Sequence, residues 1–307
     1  MNAAVNSDLA RSQTATAPQA ITVIGTGMMG FPMARRLRAA GHTVNAWNRS
    51  LEKALPLRAD GVNVQSDINV AVRNADIVIT MLEHGDAVAD VLFVLGAAKA
   101  MRRGALLIDM SSIQPGQARQ HAQQLHALQC DYLDAPVSGG TLGAEAGTLA
   151  IMVGGSETAF ERALTAFVPL GRATRVGPVG SGQLAKLANQ MIVGITIGAV
   201  AEALLMCEKG GADMGQVKAA IGGGFADSRI LQVHGQRMVE RDFAPRGRMA
   251  IQLKDMRNAL QTAEELGFHA PITCALEALY AAGVSHGDAG LDQSALFCEL
   301  ARLNAMR

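Results

Sequence analysis

Lys186, Asn189 and Gln190 fall at i, i+3 and i+4 of an otherwise apolar stretch, a spacing that puts three polar side chains on one helical face. An ammonium in such surroundings must find water, a carboxylate or a ligand, because an isolated buried charge is costly. Burial also lowers a lysine's proton affinity, bringing it towards the range useful for proton transfer. The two amides beside Lys186 can hold the oxygens of a small molecule. The competing reading is a plain ion pair from Lys186 to Asp255 or Glu202.

A second set of residues is suited to phosphate. Gly25, Thr26, Gly27, Met28, Met29 and Gly30 follow the apolar run 21–24 and precede a helix-like stretch, 31–40. In that context the glycines serve a tight turn, close backbone approach to a pyrophosphate, and tight packing of helix on strand. The helix N-terminus adds unpaired N–H groups. The next strand-like run, 43–47, ends in Asn48, Arg49 and Ser50, where an NAD site usually places a carboxylate for the ribose hydroxyls. A guanidinium instead suits a 2′-phosphate, so the expected cofactor is NADP(H), with NAD(H) possible and an ordinary surface arginine as the bland alternative.

Ser138, Gly139 and Gly140 follow the strand-like run 132–135, and their hydroxyl and amides form a compact cradle for a carboxylate. A plain tight turn fits the two glycines as well. Lys254 and Asp255 follow 249–253 on a helical pattern. There a cation can meet the cofactor and Asp255 can orient Lys186, although spacing alone also fits a solvated helix face.

These groups need elements to position them. Between 21 and 176, short β-branched runs (21–24, 43–47, 77–81, 106–110, 132–135, 150–153) alternate with helical stretches. That alternation predicts an α/β fold, a Rossmann-type doubly wound parallel sheet with its ligand at the strands' carboxyl ends. After 177–182 the pattern becomes Ala/Leu/Met-rich and helical, with breaks at Gly210-Gly211, Gly222–Gly224, Pro245, Gly267 and Gly283. The expected organisation is a disordered tail over 1–19, a dinucleotide-binding domain over 20–180 and an all-helical substrate and oligomerisation domain over 181–307.

Composition narrows the partners. Lys+Arg and Asp+Glu both number 27, so no overall field favours nucleic acid or an anionic membrane. The apolar region 184–207 is long enough to span a bilayer but carries Lys186, Asn189 and Gln190 at one end, and is read as a central helix. Four cysteines without a CxxC pair, seven histidines without ligand spacing and no secretory leader point to a cytoplasmic protein without a metal site. Apolar helical faces in a small domain predict a subunit interface.

Four ordered blocks, Gly25–Ala34, Asp134–Gly140, Gly180–Gln190 and Lys254-Asp255, together resemble the β-hydroxyacid dehydrogenase family from about residue 21 to the C-terminus. The resemblance implies NADP(H)-dependent interconversion of a small 3-oxo acid and its 3-hydroxy acid by a homodimer or homotetramer. It implies that Lys186 is the acid/base and that Ser138, Gly139 and Gly140 hold the substrate carboxylate with help from Asn189 and Gln190. It also implies that Gly25–Gly30, Asn48–Ser50, Met81, Leu82, Ser112 and Lys254 line the cofactor site. A catalytically silent, dehydrogenase-like binding module would be expected to lack Lys186. Departures remain: many 3-hydroxyisobutyrate dehydrogenases carry Asn at the Gln190 position and an acidic residue at Arg49, and the family commonly has an aromatic where Gly247 lies.

Overall fold

The computed structural model describes residues 18–306, so the expected tail lies outside the described residues as far as position 17. Gln19, counted with that tail, is fixed: its carbonyl accepts the Thr43 amide at 3.0 Å and its side chain accepts the Thr165 hydroxyl. The chain divides into two compact units. One holds the residues up to Ser111 together with Arg119–Val179, and the other holds Ser112–Ala118 together with the residues from Gly180 onward. Ser112–Ala118 interrupts the 20–180 span in sequence but packs with the helices. The buried Gln183 side chain takes the Ile113 amide at 3.1 Å.

The first unit is built on nine strands among the described residues: β1 Ala20–Ile24, β2 Thr43–Trp47, β3 Asn63–Val64, β4 Ile77–Thr80, β5 Leu106–Asp109, β6 Asp131–Asp134, β7 Val137–Ser138, β8 Leu149–Gly154 and β9 Gly171–Gly177. Their order is β3-β2-β1-β4-β5-β6-β8-β7, with β9 on β8. From β3 to β6 every pairing is parallel, and β4 and β5 are buried along their whole length, as strands covered on both faces must be. The sheet is not parallel throughout, however. β8 runs antiparallel to β6 and β7. The short helix Gly140–Ala146 is most of the connection from β7 to β8, less than the dozen or so residues a parallel crossover needs. Ser138 therefore ends a short strand, in register with Ala150, where the sequence suggested a loop. Ile21, Ile79, Leu106, Leu133 and Phe167 lie in the core of this unit.

The second unit is helical: Ser181–Lys209, Met214–Ile221, Gln236–Glu240, Met249–Glu265, Pro271–Ser285 and Leu296–Leu303 pack around Ile197, Leu204, Met256, Tyr280 and Phe297. Gly283 does not break a helix. It lies inside Pro271–Ser285, where a Cβ would stand 3.0 Å from Met249 Sδ, so close packing explains the glycine. By length and composition Ser181–Lys209 is able to cross a membrane, with 39% of its most apolar window buried. Its apolar length and its first turns serve different purposes. Gln183 and Lys186 are buried near its start, among the groups that carry chemistry.

Candidate functional site

In the sheet unit the glycine loop joins β1 to the helix Gly30–Ala39, and two of its glycines are demanded by the fold itself. Gly25 has φ +94°, and a Cβ there would lie 2.4 Å from the Met81 carbonyl oxygen. A Cβ on Gly30 would lie 1.9 Å from the Gly25 oxygen. Gly27 differs, because a Cβ there would meet nothing within 4 Å. Its bareness leaves the backbone open to close approach from outside. The helix that follows has no side-chain cap, and the Thr26 hydroxyl is buried without a partner in the turn. Open backbone, an uncapped helix start and an unsatisfied hydroxyl fit the pyrophosphate of a dinucleotide.

At the end of β2, Asn48 is engaged within the protein: its Oδ1 accepts the Thr26 amide at 3.0 Å and its Nδ2 donates to the Ser50 carbonyl at 2.9 Å. Asn48 and Ser50 thus shape the glycine turn. Arg49 between them is exposed. Met28 is exposed and Met29 half-buried, while Met81 and Leu82 back directly onto Gly25. Gly139 and Gly140 both adopt positive φ, +136° and +61°, and Gly140 faces open space.

In the helical unit the residues at i, i+3 and i+4 do meet. Lys186 Nζ donates to Gln190 Oε1 at 2.9 Å, and Asn189 Nδ2 donates to the same oxygen at 2.9 Å. Gln190 passes the contact on, since its Nε2 donates to Asp255 Oδ2 at 2.8 Å and to Gln252 Oε1 at 3.0 Å. Gln252 returns a bond to the Gln190 carbonyl at 3.0 Å. The Gln190 amide thus meets Lys186 and Asn189 with its oxygen and Asp255 and Gln252 with its nitrogen, and the resemblance implied that it also helps to hold the substrate. Lys186 makes no direct ion pair with Asp255 or Glu202; Gln190 bridges it to Asp255. Lys186 is 9% exposed. Burial pushes its ammonium below the ordinary 10.5, Asp255 opposes that fall, and Lys254 adds to it.

Ser112 and Lys254, assigned by resemblance to the cofactor, belong to this unit and complete the cluster. Ser112 Oγ donates to Asp255 Oδ1 at 3.2 Å, while Lys254 Nζ donates to the Ser112 carbonyl and lies 3.2 Å from the same Asp255 oxygen. Sequence reasoning passed over Gln252. The signal was available, since Gln252 and Asp255 stand at i and i+3 on Met249–Glu265 and both are buried. It also passed over Asp109, an acid closing a strand otherwise wholly apolar.

A glycine-turn sheet that fits a dinucleotide, followed by a helical unit with a buried lysine relay, defines an NAD(P)-dependent oxidoreductase. Residues 20–180 match the NAD binding domain of 6-phosphogluconate dehydrogenase, and residues 180–300 match the NAD-binding domain of NADP-dependent 3-hydroxyisobutyrate dehydrogenase. The chain belongs to the 3-hydroxyisobutyrate dehydrogenase-like, or β-hydroxyacid dehydrogenase, family, whose members act on CH–OH groups. It is 44% identical over 277 residues to 2-hydroxy-3-oxopropionate reductase of Escherichia coli strain K12, covering 89% of this chain and 94% of the relative. It is 36% identical to a probable 3-hydroxyisobutyrate dehydrogenase-like protein 1 of Arabidopsis thaliana, covering 92% and 85%. Among solved structures, Mycobacterium tuberculosis 3-hydroxyisobutyrate dehydrogenase with L-serine superposes with a TM-score of 0.85 at 33% identity, covering 92% and 99%.

Proposed function

We propose that the protein is an NADP(H)-dependent reductase of 2-hydroxy-3-oxopropionate, producing glycerate. The observation that carries this reading is the buried Lys186–Gln190–Asp255 relay, in a chain 44% identical to a reductase of that substrate. The cofactor, when bound, supplies the hydride to the aldehyde carbon. The Lys186 ammonium gives its proton to the aldehyde oxygen, which becomes the new hydroxyl, and the lysine is left neutral. Gln190 holds the ammonium by its oxygen and is itself held by Asp255 and Gln252, so the proton donor has one orientation. Ser138, Gly139 and Gly140 take the substrate carboxylate, and Asn189 assists. In the reverse direction the neutral amine accepts the proton of a 3-hydroxy acid.

Arg49, exposed at the end of β2, supports the preference for NADP(H) over NAD(H). Exposed Ile192, Ala199, Ala203 and Met206 along one side of Ser181–Lys209 support a homodimer or homotetramer, to be read by light scattering on the purified protein. The deciding experiment is a substrate-by-cofactor screen: reduction of 2-hydroxy-3-oxopropionate against oxidation of 3-hydroxyisobutyrate, L-threonate and L-serine, each with both nicotinamide cofactors. A kcat/KM for 2-hydroxy-3-oxopropionate below that of any rival defeats the substrate assignment. Arg49→Glu should shift the NADPH/NADH ratio of kcat/KM by about tenfold to a hundredfold towards NADH, the worth of one or two charge-assisted bonds. An unchanged ratio removes Arg49 from cofactor choice.

A further inference from the structure

Behind the glycine loop lies a polar cluster that the hydride-transfer chemistry does not use. Thr80, Asp109 and Asp134 end β4, β5 and β6 in mutual register, and all three are fully buried. Thr80 Oγ1 donates to Asp109 Oδ1 at 2.8 Å, and the Ser111 amide donates to the same oxygen at 3.0 Å. The Tyr132 hydroxyl faces the other oxygen, Oδ2, at 3.4 Å, and the Ser111 hydroxyl also bonds the carboxylate. Ser111 carries the contact forward, because its Oγ accepts the Leu82 amide at 2.9 Å. The turn at Met81 and Leu82 is the surface that presses on Gly25, with Met81 O and Leu82 Cδ2 at 2.4 and 2.8 Å from where a Cβ would stand.

We propose that Asp109 is a positioning residue of the dinucleotide site: through Ser111 it fixes the Met81–Leu82 turn against the glycine loop and so sets the affinity for the cofactor. This rests on the sheet unit binding a nicotinamide dinucleotide, and it adds a proton dependence to that binding. The carboxylate is an acceptor on both oxygens, and gaining a proton removes the charge that strengthens the bonds it accepts, those from Ser111 included. Burial pushes the Asp109 carboxyl up to about 6, with the Ser111 and Thr80 bonds pulling it down and the neighbouring Asp134 adding to the rise. Tyr132, held well above 10.0 by burial and by the two carboxylates, keeps its own proton throughout. The latch therefore loosens as pH falls through about 6.

The test is NADP+ affinity of the purified protein, read by quenching of Trp47, its single tryptophan, whose carbonyl accepts the Gly25 amide at 2.9 Å. Wild type and Asp109→Asn are titrated between about pH 5 and pH 8, and the 2′-phosphate titrates equally in both, so the difference reads the protein. The asparagine stands for the protonated acid, so the two affinities should coincide near pH 5 and separate by about tenfold near pH 8, the variant binding more weakly. Thr80→Val keeps the carboxylate but removes a bond that lowers its pKa, so the wild-type inflection should move to higher pH, a displacement that a merely structural role would not cause. Parallel curves for wild type and Asp109→Asn, or an unmoved inflection in Thr80→Val, overturn the inference. Wild type that is quenched by neither NADP+ nor NAD+ at any pH overturns the cofactor reading and this inference with it.

Discussion

The sheet unit makes its site from backbone, whereas the helical unit makes its site from side chains. Around Gly25, Gly27 and Gly30 what is offered is amide and open space, and the buried polar residue behind it, Asp109, acts by holding turns in place. Around Lys186 what is offered is one ammonium, aimed by Gln190, Gln252 and Asp255. Burial drives their ionisable groups in opposite directions, Asp109 up and Lys186 down, and in both cases towards the uncharged form. The two regions should accordingly fail differently. A backbone site tolerates most side-chain changes but not an added Cβ at the wrong glycine, and a side-chain site loses its chemistry with a single functional group.

The largest effect expected is on Lys186. Lys186→Ala should lower kcat about a thousandfold or more, the upper part of what a positioned proton donor contributes, while NADP+ affinity read by Trp47 quenching stays within about threefold. Retained activity removes the lysine from the mechanism. The same group sets the pH profile. Reduction needs the ammonium, so its kcat should fall as pH rises through the lowered lysine pKa, below 10.5, while oxidation rises over the same range. Linkage gives a further sign. In the window between the lowered pKa and 10.5 the folded protein binds fewer protons than the unfolded chain, so Lys186 makes stability rise with pH there.

Gly30→Ala is the counterpart in the backbone site. A Cβ 1.9 Å from the Gly25 carbonyl oxygen has no flexible neighbour to displace, so the turn must open. Destabilisation of about 3 kcal/mol, measured by denaturant unfolding, should accompany loss of cofactor binding. Full stability in Gly30→Ala would contradict the close approach of loop and helix.

Gln190→Leu should have a smaller effect on turnover than Lys186→Ala. It leaves Lys186 without its acceptor and strips one donor from Asp255 and from Gln252, groups whose unmet bonds cost about 1–3 kcal/mol each. A drop of about tenfold to a hundredfold in kcat is expected, and the high-pH fall in reduction should begin at lower pH because the ammonium has lost a stabilising bond. A KM effect alone, with kcat and its pH profile unmoved, would return Gln190 to substrate binding.

The backbone site was the more legible of the two in sequence. Gly25, Gly27 and Gly30 were legible because an apolar run precedes them and a helical one follows, since the spacing alone is common to many glycine-rich turns. Lys186 and Gln190 were legible as neighbours on one face, since i and i+4 on a helix must meet. That Asp255 reaches Lys186 through Gln190 was not, because sequence separation carries no information on how two helices are turned towards each other. The antiparallel β8 escaped for a related reason. Its apolar pattern matches that of a parallel strand, and only the shortness of the Gly140–Ala146 connection decides its direction. Asp109 was overlooked because it reads as the end of a buried strand, and its bonds to Thr80 and Ser111 depend on strand order.

Gly27→Ala is the smallest change and separates fold from ligand most cleanly. Nothing lies within 4 Å of the added methyl, and Gly27, unlike Gly25, does not have the positive φ that strains an L-residue. Stability should then stay within about 0.5 kcal/mol of wild type, the range of a substitution that touches nothing. If Gly27 is bare so that a pyrophosphate can approach its backbone, the methyl occupies that approach, and NADP+ affinity should fall about tenfold without any change in unfolding. A variant that binds NADP+ as wild type does would mean that the phosphates approach elsewhere on the loop. A variant that unfolds early would mean that Gly27, like Gly30, is a requirement of the fold, and the backbone site would then lack the residue kept bare for its ligand.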